Sequence, residues 1–135
     1  MAIEWSDTYA TGIEHIDNQH KELFKAVDRL LSACNGGKGK EEVGKLMDFL
    51  KDYVITHFGD EEELQKKHGY PKYLVHKKLH DDFVASFGRL MERFEEQGPT
   101  LSFVTNINKT VVDWLINHIG QVDKEMGKFI KEKIG

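Results

Sequence analysis

Cys34 is the only cysteine in the 135 residues, so the chain can form no internal disulfide and has no ligand set for a thiolate cluster. A reducing compartment suits it. Proline is almost as scarce, with Pro71 and Pro99 alone, which leaves long stretches that nothing breaks. Positive charge is not in excess either. The 19 basic residues face 23 acidic ones, for a net charge of -4, and the lysines are scattered among glutamates, which argues against nucleic acid as a partner. No apolar run approaches the roughly 20 residues that span a bilayer, so no membrane span is expected. The first residues also lack the basic, apolar and small-residue order of a signal peptide, and a cytoplasmic location is expected.

What is present suits one domain. With 39% hydrophobic and 31% charged residues, the chain is long enough for a real core and too short for two ordinary ones, so residues 1–135 are read as a single unit. Turn signals at Gly36-Gly37-Lys38-Gly39, Gly69-Tyr70-Pro71 and Gly98-Pro99 divide it into four stretches without strand-type alternation. An all-α fold follows. Residues 1–17 hold no sustained period and are expected to form an N-terminal arm anchored by Trp5, with residues 18–135 as the helical bundle and Asp17 as the cap of its first helix.

Each helical stretch carries an apolar row at spacings of three and four. The first reads Leu23, Phe24, Val27, Leu30, Leu31 and Cys34, and His20 falls on it. The second reads Leu46, Leu50, Tyr53, His57, Glu61 and Leu64. The third reads His76, His80, Phe83, Phe87, Leu90 and Phe94. The fourth reads Leu101, Val104, Asn108, Val111, Leu115 and His118, with Trp114 alongside. Polar, ligand-type side chains therefore sit on every buried face.

Short loops favour an antiparallel up-down-up-down four-helix bundle, which gathers the start of the first helix, the end of the second, the start of the third and the end of the fourth. His20, His57, Glu61, His76, His80 and His118 all lie toward those ends. A lone inward histidine is more often a hydrogen-bonded core residue than a ligand. Four helices all presenting one inward is a coincidence on the order of 1 in 100, if each buried stripe covers about 100°. Buried carboxylates beside them call for a compensating cation.

The spacings suit metal. His76 and His80, four apart, can direct two imidazoles at one ion, and His57 with Glu61 can offer an imidazole beside a carboxylate. Two carboxylates able to bridge and five imidazoles fit a dinuclear centre, with iron favoured and manganese or zinc as alternatives. Asp60, Glu62 and Glu63 are expected on a solvated acidic face. His15 in the arm and His68 near a helix end are read as non-ligands.

One pairing is irregular. His118 and Asp123 are five apart, which in a regular α-helix separates them by about 140° around the axis. The backbone is therefore expected to leave α geometry between them, a distortion that Gly120 eases and that often marks functional sites.

His20, His57 and Glu61 in HFGDE, His76 and His80 in HKKLH, and His118 and Asp123 in HIGQVD together resemble the ligand set of hemerythrins. The arm segment EWSDTYATGIEHID and the HGYP turn are similar to the bacterial single-domain members, so the likeness covers essentially the whole chain. The stretch after Asp123, with Met126, is its loosest part. The resemblance implies two iron ions joined by an oxo or hydroxo bridge, one held by His76, His80 and His118, the other by His20 and His57, with Glu61 and Asp123 bridging. It also implies reversible dioxygen binding, for transport, storage or delivery, and the apolar Phe24, Trp114 and Leu115 are expected to wall the oxygen pocket.

Other classes are weighed against this. Di-iron oxidases of the ferritin type present Glu-x-x-His on two helices, and no histidine here follows a glutamate at that spacing, which favours a binding protein over an enzyme. Chemistry on peroxide, nitric oxide or oxygen at the same centre is the alternative, as is a sensor. The chain ends in KFIKEKIG soon after Asp123, without an output region, so a stand-alone monomer is expected, with dioxygen as ligand and an unidentified oxygen-using client protein as a further partner.

Overall fold

The computed structural model describes residues 3–134, and those residues fold as four antiparallel helical rods behind an extended arm. Met1 and Ala2 of the expected arm and Gly135 of KFIKEKIG lie outside the described residues. The rods are α1 (Glu14–Asn35), α2 (Lys40–Lys67), α3 (Tyr73–Gln97) and a fourth over residues 101–134. The fourth is built from α4 (Leu101–Ile107), a π-helical turn (Asn108–Val112), α5 (Asp113–Asn117), a second π-helical turn (His118–Asp123) and α6 (Lys124–Ile134). Successive rods pack side by side, as their short connections require. No described helix is long and apolar enough to cross a membrane.

The turns form where they were expected, with Gly37, Gly69 and Gly98 in the left-handed region that the connections demand. Thr100 caps α4 by accepting from the Phe103 amide at 3.1 Å. Asp17 is not a cap. α1 begins earlier, at Glu14, and Asp17 lies inside its first turn, where its carboxylate accepts from the amide and hydroxyl of Thr11, both at 2.8 Å, and from the Gly12 amide at 3.2 Å. The arm is thus tied to α1 by one carboxylate. Trp5 and Tyr9 pack from the arm against the core, Tyr9 edge-on to Phe24 at 5.3 Å, and Lys21 sits over the Trp5 ring.

The core follows the expected rows in α1 and α3, where His76, His80, Phe83, Phe87, Leu90 and Phe94 are all buried. In α2 the stripe is rotated. Val43, Met47, Leu50, Val54, His57, Phe58, Glu61 and Gln65 face inward, while Leu46, Tyr53 and Leu64 sit at the rim. The fourth rod begins out of the expected phase, because the wide turn at Asn108–Val112 shifts the register. Phe103 and Ile107 fill the core before it and Val111 and Leu115 after it, leaving Leu101 82% exposed.

Candidate metal centre

His20 from α1, His57 and Glu61 from α2, His76 and His80 from α3, and His118 and Asp123 from the second wide turn are all buried and meet at one level of the core. The structure brings all seven together. They form two groups, Glu61-His76-His80-His118-Asp123 and His20-His57-Glu61-Asp123, in each of which the ligand atoms lie within 4.8 Å of one another. His118 and Asp123 meet because π geometry replaces α geometry between them, so that five residues close roughly one turn.

The two carboxylates divide their oxygens between the groups. Glu61 turns Oε2 to Nε2 of His57 at 2.9 Å and of His20 at 3.1 Å, and Oε1 to Nε2 of His80 at 3.2 Å and of His76 at 3.4 Å. Asp123 turns Oδ2 to His20 Nε2 at 3.0 Å, and Oδ1 to Nε2 of His76 at 3.0 Å and of His118 at 3.1 Å. Each carboxylate therefore spans both groups as a bridge.

Apart from the hydrogen bond between His20 Nε2 and Glu61 Oε2, these contacts leave most of the carboxylate oxygens unpaired. Among the described residues, Glu61 Oε1 and both oxygens of Asp123 are buried without an aligned donor. Three imidazole Nε2 atoms crowd together instead, His76 to His118 at 3.0 Å and His80 to His118 at 3.2 Å. A metal–imidazole distance of about 2.1 Å places adjacent nitrogens of one coordination shell about 3.0 Å apart. Lone pairs that converge at that spacing fit a cation, and the donor set of imidazole and carboxylate fits a first-row transition metal. The residues present therefore fit two metal ions.

Electrostatics agree. Burial opposes ionisation of Glu61, yet the imidazoles of His57, His20 and His76 hold its carboxyl well below the usual range. Burial and the neighbouring Glu61 charge likewise oppose ionisation of Asp123, and His118 and His20 overcome them. Burial would lower His20 and His76, but their contacts with Asp123 and Glu61 raise both to about 9 in the metal-free protein. Two cations would be compensated by the two buried carboxylates and would displace the protons that those carboxylates hold on His20 and His76.

Around the ligands stands a layer that sequence reasoning missed. Glu62, expected in solvent, turns Oε2 to His80 Nδ1 at 2.9 Å. Asp60, also expected in solvent, accepts from Gln19 Nε2 at 2.7 Å, and the Gln19 oxygen accepts from His57 Nδ1 at 2.7 Å. Gln65 sits 3.1 Å from His76 Nδ1 and donates to the sulfur of Met126 at 2.9 Å. Phe58 lies on His80. Their only sequence signal was polar or aromatic character one residue away from a ligand or, for Gln65, one helical turn after Glu61. Glu63 is exposed, as expected, His15 is a surface residue 3.2 Å from Asp60, and His68 caps the end of α2.

Of the three expected pocket residues, Phe24 and Leu115 are buried in the core beside the ligand-bearing turns. Trp114 lies against His118, one turn further along the same rod. Its ring stacks on His118 at 4.2 Å with 12° between planes and leans on Phe83, which places it against the three-histidine group.

Four antiparallel helices around two carboxylate-bridged clusters of imidazole define a dinuclear metal-binding bundle. Comparison with known proteins gives the family. Residues 11–130 match the model of the hemerythrin HHE cation binding domain. The chain is 36% identical to the bacteriohemerythrin of Methylococcus capsulatus over 88% of either chain, and 34% identical to the myohemerythrin of Theromyzon tessulatum over 93% of this chain and 92% of that one. A crystal structure of wild-type hemerythrin superposes with a TM-score of 0.85 at 34% identity, covering 96% of this chain and 98% of the other. The chain belongs to the hemerythrin family, whose function is to bind oxygen at a di-iron site.

Proposed function

We propose that this chain binds dioxygen reversibly at two iron ions, one held by His76, His80 and His118 and the other by His20 and His57, with Glu61 and Asp123 shared. The observation that carries the reading is the division of oxygens: each carboxylate serves both groups, while the histidines split three to two. Two irons held by these residues would supply the electrons for reversible capture of oxygen. The group with two histidines has one protein ligand fewer, which leaves room for a small external ligand there.

The protein's own residues favour binding over turnover. Phe24, Leu115 and Ile119 are buried and apolar, so they exclude water and offer no proton to the ligand. Phe24 and Leu115 wall the open position in this reading, and Trp114 shields the other metal. Oxygen transport, storage or delivery to a client follows, by a cytoplasmic monomer.

Metal analysis with absorption spectra of reduced and aerated samples tests this. Two irons per chain and a colour change that reverses when oxygen is lowered are expected. Zinc, or no metal, overturns the reading, and steady consumption of an added reductant replaces it with an enzyme.

A further inference from the structure

Gln19 is a neutral amide 7% exposed in the core, immediately before a ligand in sequence but directed across to α2. Both ends of it are used. Its oxygen meets Nδ1 of the ligand His57, and its nitrogen donates to Asp60, whose side chain is 42% exposed. Chemistry leaves the amide only one orientation. An imidazole that ligates through Nε2 carries its proton on Nδ1 and must donate there, and the carboxylate of Asp60 can only accept.

The other histidines are supported differently. His80 donates directly to a carboxylate, Glu62, and His76 has Gln65 beside it. Among the described residues His20 has no partner at Nδ1. In the two-histidine group, Gln19 therefore holds the one imidazole that is oriented from behind, and that group also has the smaller ligand set.

We propose that Gln19 is the positioning residue of the two-histidine metal: it fixes the tautomer and ring orientation of His57 and relays the negative charge of Asp60 to it, so that it controls the affinity of that metal and not of its neighbour. The inference rests on the two-metal reading above. Carboxylate backing raises the basicity of a ligating imidazole, and loss of such a partner typically lowers metal affinity about 10- to 100-fold.

The test is calorimetric titration of the full metal-free chain with Co2+. The parent protein binds two ions, the first at the three-histidine group. Gln19→Leu keeps the first affinity and lowers the second by about 10- to 100-fold. Asp60→Asn, on the surface, lowers the second in the same direction by less. Gln19→Glu combined with Asp60→Asn exchanges amide and carboxylate at constant net charge and restores the second affinity, since the carboxylate then accepts from His57 and the amide donates to it. In Co2+-loaded protein the shifted proton resonance of His57 Nδ1 is retained by that double variant and lost to solvent exchange in Gln19→Leu. Equal weakening of both ions, or of neither, overturns the proposal while leaving the two-metal reading intact. If Gln19→Leu does not fold, the surface variant and the double variant decide: no loss in the first, or no difference between them, is equally fatal. A parent protein that binds fewer than two Co2+ ions sinks both readings.

Discussion

The phenyl ring of Phe58 lies flat against the imidazole of His80, centroids 3.8 Å apart and planes within 1° of parallel. Both line a surface groove of about 430 Å³ between α2 and α3, with Ile55, Gly59, Glu62 and Val84. His80 is only 1% exposed there, so the ring and the Glu62 carboxylate are what shield this imidazole from solvent in the groove.

Phe58→Ala should therefore act on stability and on metal retention together. Loss of a buried phenyl ring typically costs about 3–5 kcal/mol, to be read from urea unfolding of the metal-free protein. Chelator extraction from the loaded protein should also speed up. Phe58→Leu separates the two effects: it restores much of the packing but not the flat stack, and unchanged extraction in that variant would reduce Phe58 to core filling.

Metal-free and loaded protein should respond differently to pH. His20 and His76, raised to about 9, stabilise the metal-free fold fully below their ordinary 6.5 and lose that contribution as pH rises through 9. Glu61 and Asp123, held down, contribute above their ordinary 4.5 and 3.8 and lose it as pH falls below. Metal-free melting temperatures should thus be highest between 4.5 and 6.5 and decline toward 9. Metals need neutral imidazoles, so the loaded protein holds no such protons to lose and does not share that decline. Paired calorimetric scans across this range should show the gap between the two forms widening with pH, and a constant gap would contradict the assignment.

Gly127 permits the arm to dock. A Cβ there would lie 2.5 Å from the carbonyl oxygen of Thr11, the residue that Asp17 holds in place. Elsewhere in a helix Gly→Ala should stabilise by about 1 kcal/mol, as expected at Gly88 in α3, where a Cβ meets nothing. At Gly127 the sign should reverse to a loss of about 1–3 kcal/mol through overpacking. Urea midpoints of the two variants provide the comparison, with the emission of Trp5 reporting release of the arm.

Trp114 should report the metal optically. Its indole is stacked on His118, so an iron or cobalt ion at that imidazole should quench its fluorescence at close range. Trp5, the other tryptophan, packs in the arm. Titration of Trp5→Phe should retain the quenching and titration of Trp114→Phe should lose most of it; the reverse result would place the first ion elsewhere.

Much of this was legible in sequence because a buried helical face repeats locally. The row from His76 to Phe94 reads straight off α3, and all seven ligands lie on such rows or, for Asp123, five residues from one. Even the wide turn was legible, since His118 and Asp123 cannot share a face of a regular helix. The turn at Asn108–Val112 was not, because its sequence pairs no two residues that must meet. Nor was the rotation of α2: Leu46 and Met47 are equally apolar neighbours, and only packing against α1 and α3 selects Met47.

By itself the sequence determined the number of helices, the end of the bundle where polar groups collect, and which seven nitrogen- and oxygen-bearing side chains converge there. The tertiary structure alone decided how those atoms are shared. That Glu61 gives one oxygen to His57 and the other to His80, or that Gln19 in α1 reaches His57 in α2, depends on the rotation and height of each rod against its neighbours. Those are set by the interlocking of the whole apolar core, a quantity that no local pattern encodes.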